Sequence, residues 1–173
     1  MNDEQRRVKS YLQAQGAKLS PGEIIDKVRA AMADVRAAAT TVPPARFDER
    51  PAAEDWSGNE VMAHVVASGR TFGDWIAGVL DDRAAPAPRH DRESAPPRRT
   101  AEEWCALLEH DRGALFDRVR RADPATRLET TIEHPFFGPL NWRESLLFLR
   151  LHDLDHAGQL QKIGAALGAR ASA

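Results

Sequence analysis

Cysteine is almost absent from this sequence, with Cys105 as the single example among 173 residues. A lone cysteine excludes an intrachain disulfide and suits a reducing compartment. Long hydrophobic runs are absent as well: no stretch approaches eighteen uninterrupted apolar residues, and the first ten residues are mostly polar. We therefore predict neither a membrane span nor a secretory signal, and we expect a cytoplasmic protein.

A strong excess of charge of one sign is also missing. The formal net charge is -2 and the isoelectric point is near 6.3, whereas nucleic-acid binding requires a concentrated basic face. We therefore expect no nucleic-acid partner. The length suffices for one domain with a sizeable core but is short for two.

What the sequence does contain is a set of helix-start signals. Capping boxes, in which Ser, Thr or Asn is followed three residues later by Glu, precede apolar residues at three- and four-residue spacing. They begin at Ser20, Ser57, Thr100 and Asn141. These signals predict four long helices, the first from 21 to about 40 and the last over 141–167, joined by long Pro-bearing connections. We expect an all-α fold, a four-helix bundle with long crossing loops.

Two shorter segments complete the predicted architecture. Residues 2–15 are weakly amphipathic and Gly16 is a plausible stop, so we expect a short N-terminal helix that packs loosely if at all. Residues 1–19 are accordingly treated as an extension and 20–173 as the single bundle domain. Residues 128–132 could form one short extended piece, but we find no strand pattern of consequence.

Two histidines occupy positions that the last helix should bury. Its apolar stripe runs from Trp142 to Leu167, and His152 and His156 fill the middle of that stripe, one turn apart. Buried imidazoles require hydrogen bonds within a core or a shared metal ion, which the four-residue spacing permits. His64 interrupts the apolar stripe of the second long helix in the same way. Three imidazoles with an open fourth position are typical of a catalytic metal site, so we predict all three histidines as ligands.

The neighbouring polar residues are open to several roles. The segment HDLDH is similar to the zinc-protease motif HExxH, but Asp153 is shorter than Glu and lies off the histidine face, which disfavours a protease. Asp153 and Asp155 are predicted as solvated charges or as partners that orient an imidazole. Gln159 either lines the pocket or is a surface amide, and the capping role of Glu60 competes with any metal contact. His134 could approach the site as a fourth ligand or as a substrate contact.

The remaining reactive side chains receive simpler predictions. His90 and His110 stand in charged surroundings and are predicted at the surface, and Cys105 is predicted as a small buried hydrophobe. Core positions are predicted for the four tryptophans, Trp56, Trp75, Trp104 and Trp142.

The order of these motifs resembles the DinB-like superfamily, in particular its YfiT-like metal-dependent members. The resemblance covers roughly residues 21–168 and rests on Trp56-Ser57-x-x-Glu60-Val61-x-x-His64, His134-Pro135-x-x-Gly138-Pro139 and His152-x-x-x-His156-x-x-Gln159. It implies a four-helix bundle in which His64, His152 and His156 hold one divalent metal ion, and it implies dimers in many members. Some members are S-transferases or isomerases that work with low-molecular-weight thiols such as mycothiol and bacillithiol, and most have no assigned reaction.

We therefore hypothesise a metal-dependent enzyme that acts on a small-molecule substrate, with thiol-dependent S-transfer or a related hydrolysis as the preferred reaction. The alternative is a non-catalytic metal-binding or interaction bundle. Imidazole ligands suit zinc and nickel alike, and no residue stands out as a catalytic base. We expect a homodimer because Leu147, Leu151 and Leu154 lie off the main stripe of the last helix, although loops or the first short helix would cover them equally well.

Overall fold

The computed structural model describes residues 1–83 and 95–170, which form helices and one β-hairpin. The all-α, four-helix-bundle prediction is confirmed. The elements in chain order are α1 (Asp3–Lys18), α2 (Pro21–Ala39), a 3₁₀ turn (Pro44–Arg46), α3 (Gly58–Leu80), α4 (Ala101–Arg120), β1 (Thr131–His134), β2 (Gly138–Asn141) and α5 (Trp142–Arg170).

Reciprocal capping boxes begin the four long helices, as predicted. At the start of α3 the Ser57 hydroxyl accepts from the Glu60 N–H, and the Glu60 carboxylate accepts from the Ser57 N–H. Equivalent pairs start α2 and α4, and Asn141 and Glu144 exchange the same bonds at α5. Each pair satisfies two backbone donors that a helix start would otherwise leave unpaired, which explains why these boundaries are readable in the sequence.

The helices are arranged as two parallel pairs that run in opposite directions. At one end of the bundle, Arg143 at the start of α5 donates to the Leu19 carbonyl just before α2. In the other pair, the Trp104 indole of α4 donates to Asn59 of α3, 2.7 Å away, and Arg118 pairs with Asp81 where both helices finish. Helix α2 packs mainly on α5 and α4, and α3 packs mainly on α4 and α5. Helices α2 and α3 therefore occupy opposite corners, and the connection between them crosses one end of the bundle.

A layer of polar side chains separates two apolar clusters inside the bundle. One cluster includes Ile76, Phe116, Leu146 and Leu149, and the other includes Val65, Leu108, Ala157 and Leu160. Between them, α3, α4 and α5 place charged and imidazole groups at buried or half-buried positions. We call this set the polar layer: His64, Arg112, His152, Asp153 and His156.

Helix α1 packs firmly, so the expected loose packing of the N-terminal segment is wrong. Leu12 is fully buried in the first apolar cluster, against α5. Gly16 does not end the helix, which continues to Lys18. A Cβ at Gly16 would lie 2.9 Å from Cγ of Glu144, so the glycine allows α1 to approach α5 closely.

Residues 131–141 form a β-hairpin, whereas the sequence predicts only one short extended piece at 128–132. The first strand begins later, at Thr131, and pairs antiparallel with β2, so that Thr131 faces Asn141 and His134 faces Gly138. Ile132 and Leu140 point into the first apolar cluster. Gly138 has φ +67°, which the tight turn before it requires and which other residues rarely adopt.

The leucines that suggested a dimer are largely covered within one chain. Leu147 is fully buried in the cluster to which α1 contributes, and Leu151 packs against the same cluster. Neither leucine needs a second copy to cover it, and the homodimer stays a prediction. Of the described helices, none combines the length and apolar character that crossing a membrane requires.

Candidate metal centre

The structure brings His64, His152 and His156 together where α3 and α5 run antiparallel. The Nε2 atoms of His64 and His152 are 3.2 Å apart, and one ring nitrogen from each histidine lies within 4.8 Å of the other two. The ring centroids of His152 and His156 are 4.5 Å apart, as expected for residues one helical turn apart. All three side chains are partly exposed, so the cluster is reached from solvent.

The donor set fits a small divalent ion. With metal–nitrogen bonds of about 2.0–2.1 Å, two ligands at tetrahedral angles have nitrogens about 3.3–3.4 Å apart, close to the His64–His152 separation. In the described part of the chain, no carboxylate or thiol joins the three imidazoles. Three neutral ligands, with no fourth protein ligand among the described residues, are the arrangement of a metal site with an open coordination position.

Gln159 orients His156. Its Oε1 lies 2.9 Å from Nδ1 of His156, and because an amide oxygen only accepts, Nδ1 carries the proton. Nε2 is then the nitrogen left for a metal. Burial, and next the charge of His152, lower the pKa of His156, which favours the neutral form that a metal requires. Of the two predicted roles for Gln159, pocket residue or surface amide, the structure favours the first.

Asp153 is fully buried, so the prediction of a solvated charge is wrong for this residue. Its Oδ1 lies 3.1 Å from Nη2 of Arg112 and 3.5 Å from Nδ1 of His152. The alternative prediction, a carboxylate beside an imidazole, agrees with this position. Asp155 is exposed, as expected.

Ser68 and Trp56 lie next to His64. Ser68, one turn further along α3, places Oγ 3.4 Å from Nε2 of His64. The indole of Trp56 meets the His64 ring edge-on, with 5.3 Å between centroids. Trp56 is half-buried and packs against the second apolar cluster, so its predicted core position holds in part, whereas the core positions of the other tryptophans, Trp75, Trp104 and Trp142, are confirmed.

Glu60 does not join the cluster. It caps α3 and forms an ion pair with Arg50, and the hydrogen bond from Arg50 is the main cause that lowers the pKa of its carboxyl. The capping interpretation of this residue is therefore the one that the structure supports.

His134 lies outside the ligand cluster, in a box of aromatic rings. Its Nδ1 accepts from the Phe136 N–H at 3.1 Å, so Nε2 carries the proton, and this buried N–H has no hydrogen-bond partner in the described structure. The ring stacks on Phe137 and meets Phe148, whose ring in turn lies 5.8 Å from that of His152. Burial, followed by the charge of His152, lowers the pKa of His134 to about 4. The structure thus does not place His134 as a fourth ligand.

The other candidates behave as expected where they are described. His110 is exposed on α4, and Cys105 is buried, with burial raising the pKa of its thiol. His90 lies outside the described residues. Sequence reasoning missed Arg112, which is 1% exposed. Its position in the sequence was the available signal. Arg112 interrupts the apolar stripe of α4 four residues after Leu108, just as the three clustered histidines interrupt the apolar stripes of α3 and α5.

These features define a class, the all-helical bundles with a histidine cluster between two antiparallel helices. The chain belongs to the DinB superfamily, whose sequence profile matches residues 27–160, a range that includes all three histidines. Among solved structures it is similar to a crystal structure of TT2238, described as a four-helix bundle protein, with 24% sequence identity and a TM-score of 0.62. That match covers 83% of this chain and 99% of the other, and it supports the fold. No curated protein matches the chain.

Proposed function

We propose that this protein is a divalent-metal-dependent enzyme that uses His64, His152 and His156 as ligands, for thiol-dependent S-transfer or a related hydrolysis. The observation that supports the proposal is the convergence of three half-buried imidazoles, from two helices, with one ring nitrogen of each within 4.8 Å of the others. Imidazole nitrogens suit zinc and nickel, and we propose one such ion per chain.

Three neutral ligands would leave a bound ion its full positive charge, and such an ion would lower the pKa of a thiol or water molecule that binds beside it. The protein holds the ligands ready for this role. Gln159 fixes the proton of His156 on Nδ1, and the carboxylate of Asp153 lies beside Nδ1 of His152. A proton on Nδ1 of each ring would leave Nε2 free for the ion.

The aromatic box supplies a candidate substrate contact. His134 is neutral near pH 7 because its pKa is near 4, and its Nε2–H is a buried donor without a partner in the described structure. Phe148 separates this ring from His152. We propose that the substrate is an electrophile with a hydrogen-bond acceptor, which would reach the buried His134 only if the surrounding rings move, while a low-molecular-weight thiol would be activated at the three histidines.

One observation, the contact that the histidines make between α3 and α5, favours a structural role for the ion as a second function. The centre joins α3 to α5 through residues 88 positions apart, His64 and His152, so a bound ion would stabilise the fold whether or not it catalyses a reaction. A non-catalytic, metal-stabilised bundle is therefore the alternative.

The first test is elemental analysis of protein purified without an affinity tag. We expect about one zinc or nickel per chain, its loss in His64→Ala, and its retention in the control His110→Ala, which removes an exposed histidine of α4. Equal metal content in the wild type and in His64→Ala would refute the ligand assignment.

The second test separates the two functions. Cobalt(II)-substituted protein is titrated with a small thiol and with azide, and changes in the visible spectrum report an exchangeable coordination position. Spectral change with the thiol would support the enzyme. A spectrum that neither ligand alters would favour the metal-stabilised bundle.

A further inference from the structure

We propose that the buried pair Arg112–Asp153 is a positioning device that orients His152 as a metal ligand. Strong metal binding would then depend on α4, a helix that contributes no ligand itself. The inference rests on the proposed metal site and assigns a role to two residues that do not touch the ion.

The pair crosses the polar layer from one helix to another. Arg112 of α4 and Asp153 of α5 have side-chain exposures of 1% and 0%, and Nη2 lies 3.1 and 3.4 Å from the two carboxylate oxygens. Removing two charges from water carries a large free-energy cost, and apolar replacements for such a pair are often as stable or more stable. Stability alone therefore does not account for charged groups between two apolar clusters.

The guanidinium is also incompletely satisfied. Its Nε and Nη1 are buried without a hydrogen-bond partner in the described structure. Each such donor loses its hydrogen bonds to water without gaining new ones, which destabilises the fold. A side chain retained despite this loss indicates a constraint other than packing, and that constraint follows from what the pair contacts.

That contact is the ring of His152. Nδ1 of His152 is buried without a hydrogen-bond partner in the described structure, and the Oδ1 of Asp153 lies 3.5 Å from it, while Nε2 of the same ring lies 3.2 Å from Nε2 of His64. A carboxylate on the Nδ1 side favours the proton there and leaves the Nε2 lone pair for a metal, as carboxylate–histidine pairs do in known metal sites. Arg112 holds the carboxylate in place from the opposite helix.

Helix α3 makes room for the guanidinium. A Cβ on Gly69 would lie 3.2 Å from Nη2 and 3.3 Å from Cζ of Arg112, closer than ordinary contact. Gly69 follows His64 by five residues, so α3 provides both a ligand and the space in which the positioning pair is seated. The three helices thus converge on one imidazole.

The test measures zinc affinity by competition with a chelating dye, and separately measures thermal stability in excess chelator. Because a single substitution leaves one buried charge alone, the main variant is the double replacement Arg112→Met/Asp153→Leu. We expect its zinc affinity to fall about 10- to 100-fold, while its zinc-free melting temperature equals or exceeds that of the wild type. The control Arg118→Met breaks a more exposed pair on the same helix and should leave zinc affinity unchanged.

A second, milder variant keeps the inference testable if the double replacement fails to fold. Gly69→Ala improves helix propensity but displaces the guanidinium, so zinc affinity should fall several-fold without loss of zinc-free stability.

Nitrogen NMR of zinc-free wild type should show the His152 proton on Nδ1. Zinc affinity within threefold of wild type in a folded variant would overturn the inference and leave the metal site standing, whereas a wild type that binds no zinc or nickel would overturn both.

Discussion

At the scale of single residues, the histidines differ in what their second ring nitrogen meets. Nδ1 of His156 donates to Gln159, Nδ1 of His152 faces Asp153, and Nδ1 of His134 accepts from a backbone N–H. The first arrangement leaves Nε2 of His156 as the lone-pair nitrogen, and the third leaves Nε2 of His134 as a donor. In the proposed metal site, His152 and His156 would each offer Nε2 to the ion.

The role of Gln159 leads to the first prediction. Gln159→Leu keeps the side chain's size but removes the acceptor for His156, so zinc affinity should fall about 10- to 100-fold. Competition with a chelating dye measures this directly. His110→Ala serves as the control for a histidine outside the cluster, and an unchanged affinity in Gln159→Leu would show that the hydrogen bond does not orient the ligand.

The burial of His134 leads to a prediction of pH dependence. Its pKa is about 4 when folded and about 6.5 in the unfolded chain, so the unfolded state binds the proton more tightly. The contribution to stability is fully present above pH 6.5 and is lost as the pH falls from 6.5 to 4, by roughly 2–3 kcal/mol. Urea unfolding in excess chelator, at several pH values in that window, measures it.

The matched variant is His134→Phe, which retains an aromatic ring among Phe137 and Phe148. Its unfolding free energy should depend less steeply on pH than that of the wild type in the same window. Identical slopes for the two proteins would mean that His134 is protonated in the folded state as readily as in the unfolded one.

At the residue scale, the sequence shows which polar residues interrupt apolar stripes, but it does not show which of these residues contact one another. Spacing places His64, His152 and His156 on core-facing stripes, and the structure brings them together. Asp153 lies off that face on a helical wheel, and its buried partner is 41 residues away on another helix. No local pattern connects Asp153 with Arg112. For that reason the role of Asp153 stayed open from the sequence alone, and Arg112 was not predicted as its partner.

At the scale of elements, two glycines of α5 provide a matched comparison. A Cβ on Gly164 would lie 2.9 Å from the carbonyl oxygen of Thr41, at the end of α2, whereas a Cβ on Gly158 would meet nothing within 4 Å. Gly164→Ala should lower the unfolding free energy by about 1–3 kcal/mol, and Gly158→Ala should raise it by up to about 1 kcal/mol through helix propensity. Chemical denaturation of both variants in chelator tests the pair, and similar effects would contradict the close approach of α2 to α5.

The success of sequence reasoning also varies between elements. The long helices are predictable from the sequence because capping boxes and apolar stripes are local features. The packing of α1 depends on the burial of Leu12 against α5, and the strands have only four residues each, so their stability comes from contacts distant in sequence. Such contacts are not encoded in a short window.

At the scale of the whole molecule, a metal ion would couple two helices far apart in the chain. We expect chelator to accelerate amide hydrogen exchange most in the turns of α3 and α5 that contain the histidines, and less in α2 near Val28. Mass spectrometry of exchanged protein, with His64→Ala as the variant already lacking the ion, measures this. Uniform acceleration along the chain would indicate global unfolding in place of a local release.

The corner positions of the helices were predictable only in part. Long connections such as 41–56 permitted a crossing arrangement without specifying it, because loop length limits the distance spanned and not the corner reached. The order follows from side-chain matches between helices, such as Trp104 with Asn59, which become visible only in three dimensions.

The central place of α5 has a consequence for synthesis on the ribosome. This helix packs on α1, α2 and α3 and carries two of the three histidines, yet it follows all the other helices in the chain. As translation proceeds from the N-terminus, the apolar sides of α1 and α2 leave the exit tunnel before the surface that will cover them exists. Those sides are therefore exposed to other molecules until α5 has emerged, and a chain stalled before that point would have neither a closed core nor two of the three clustered histidines.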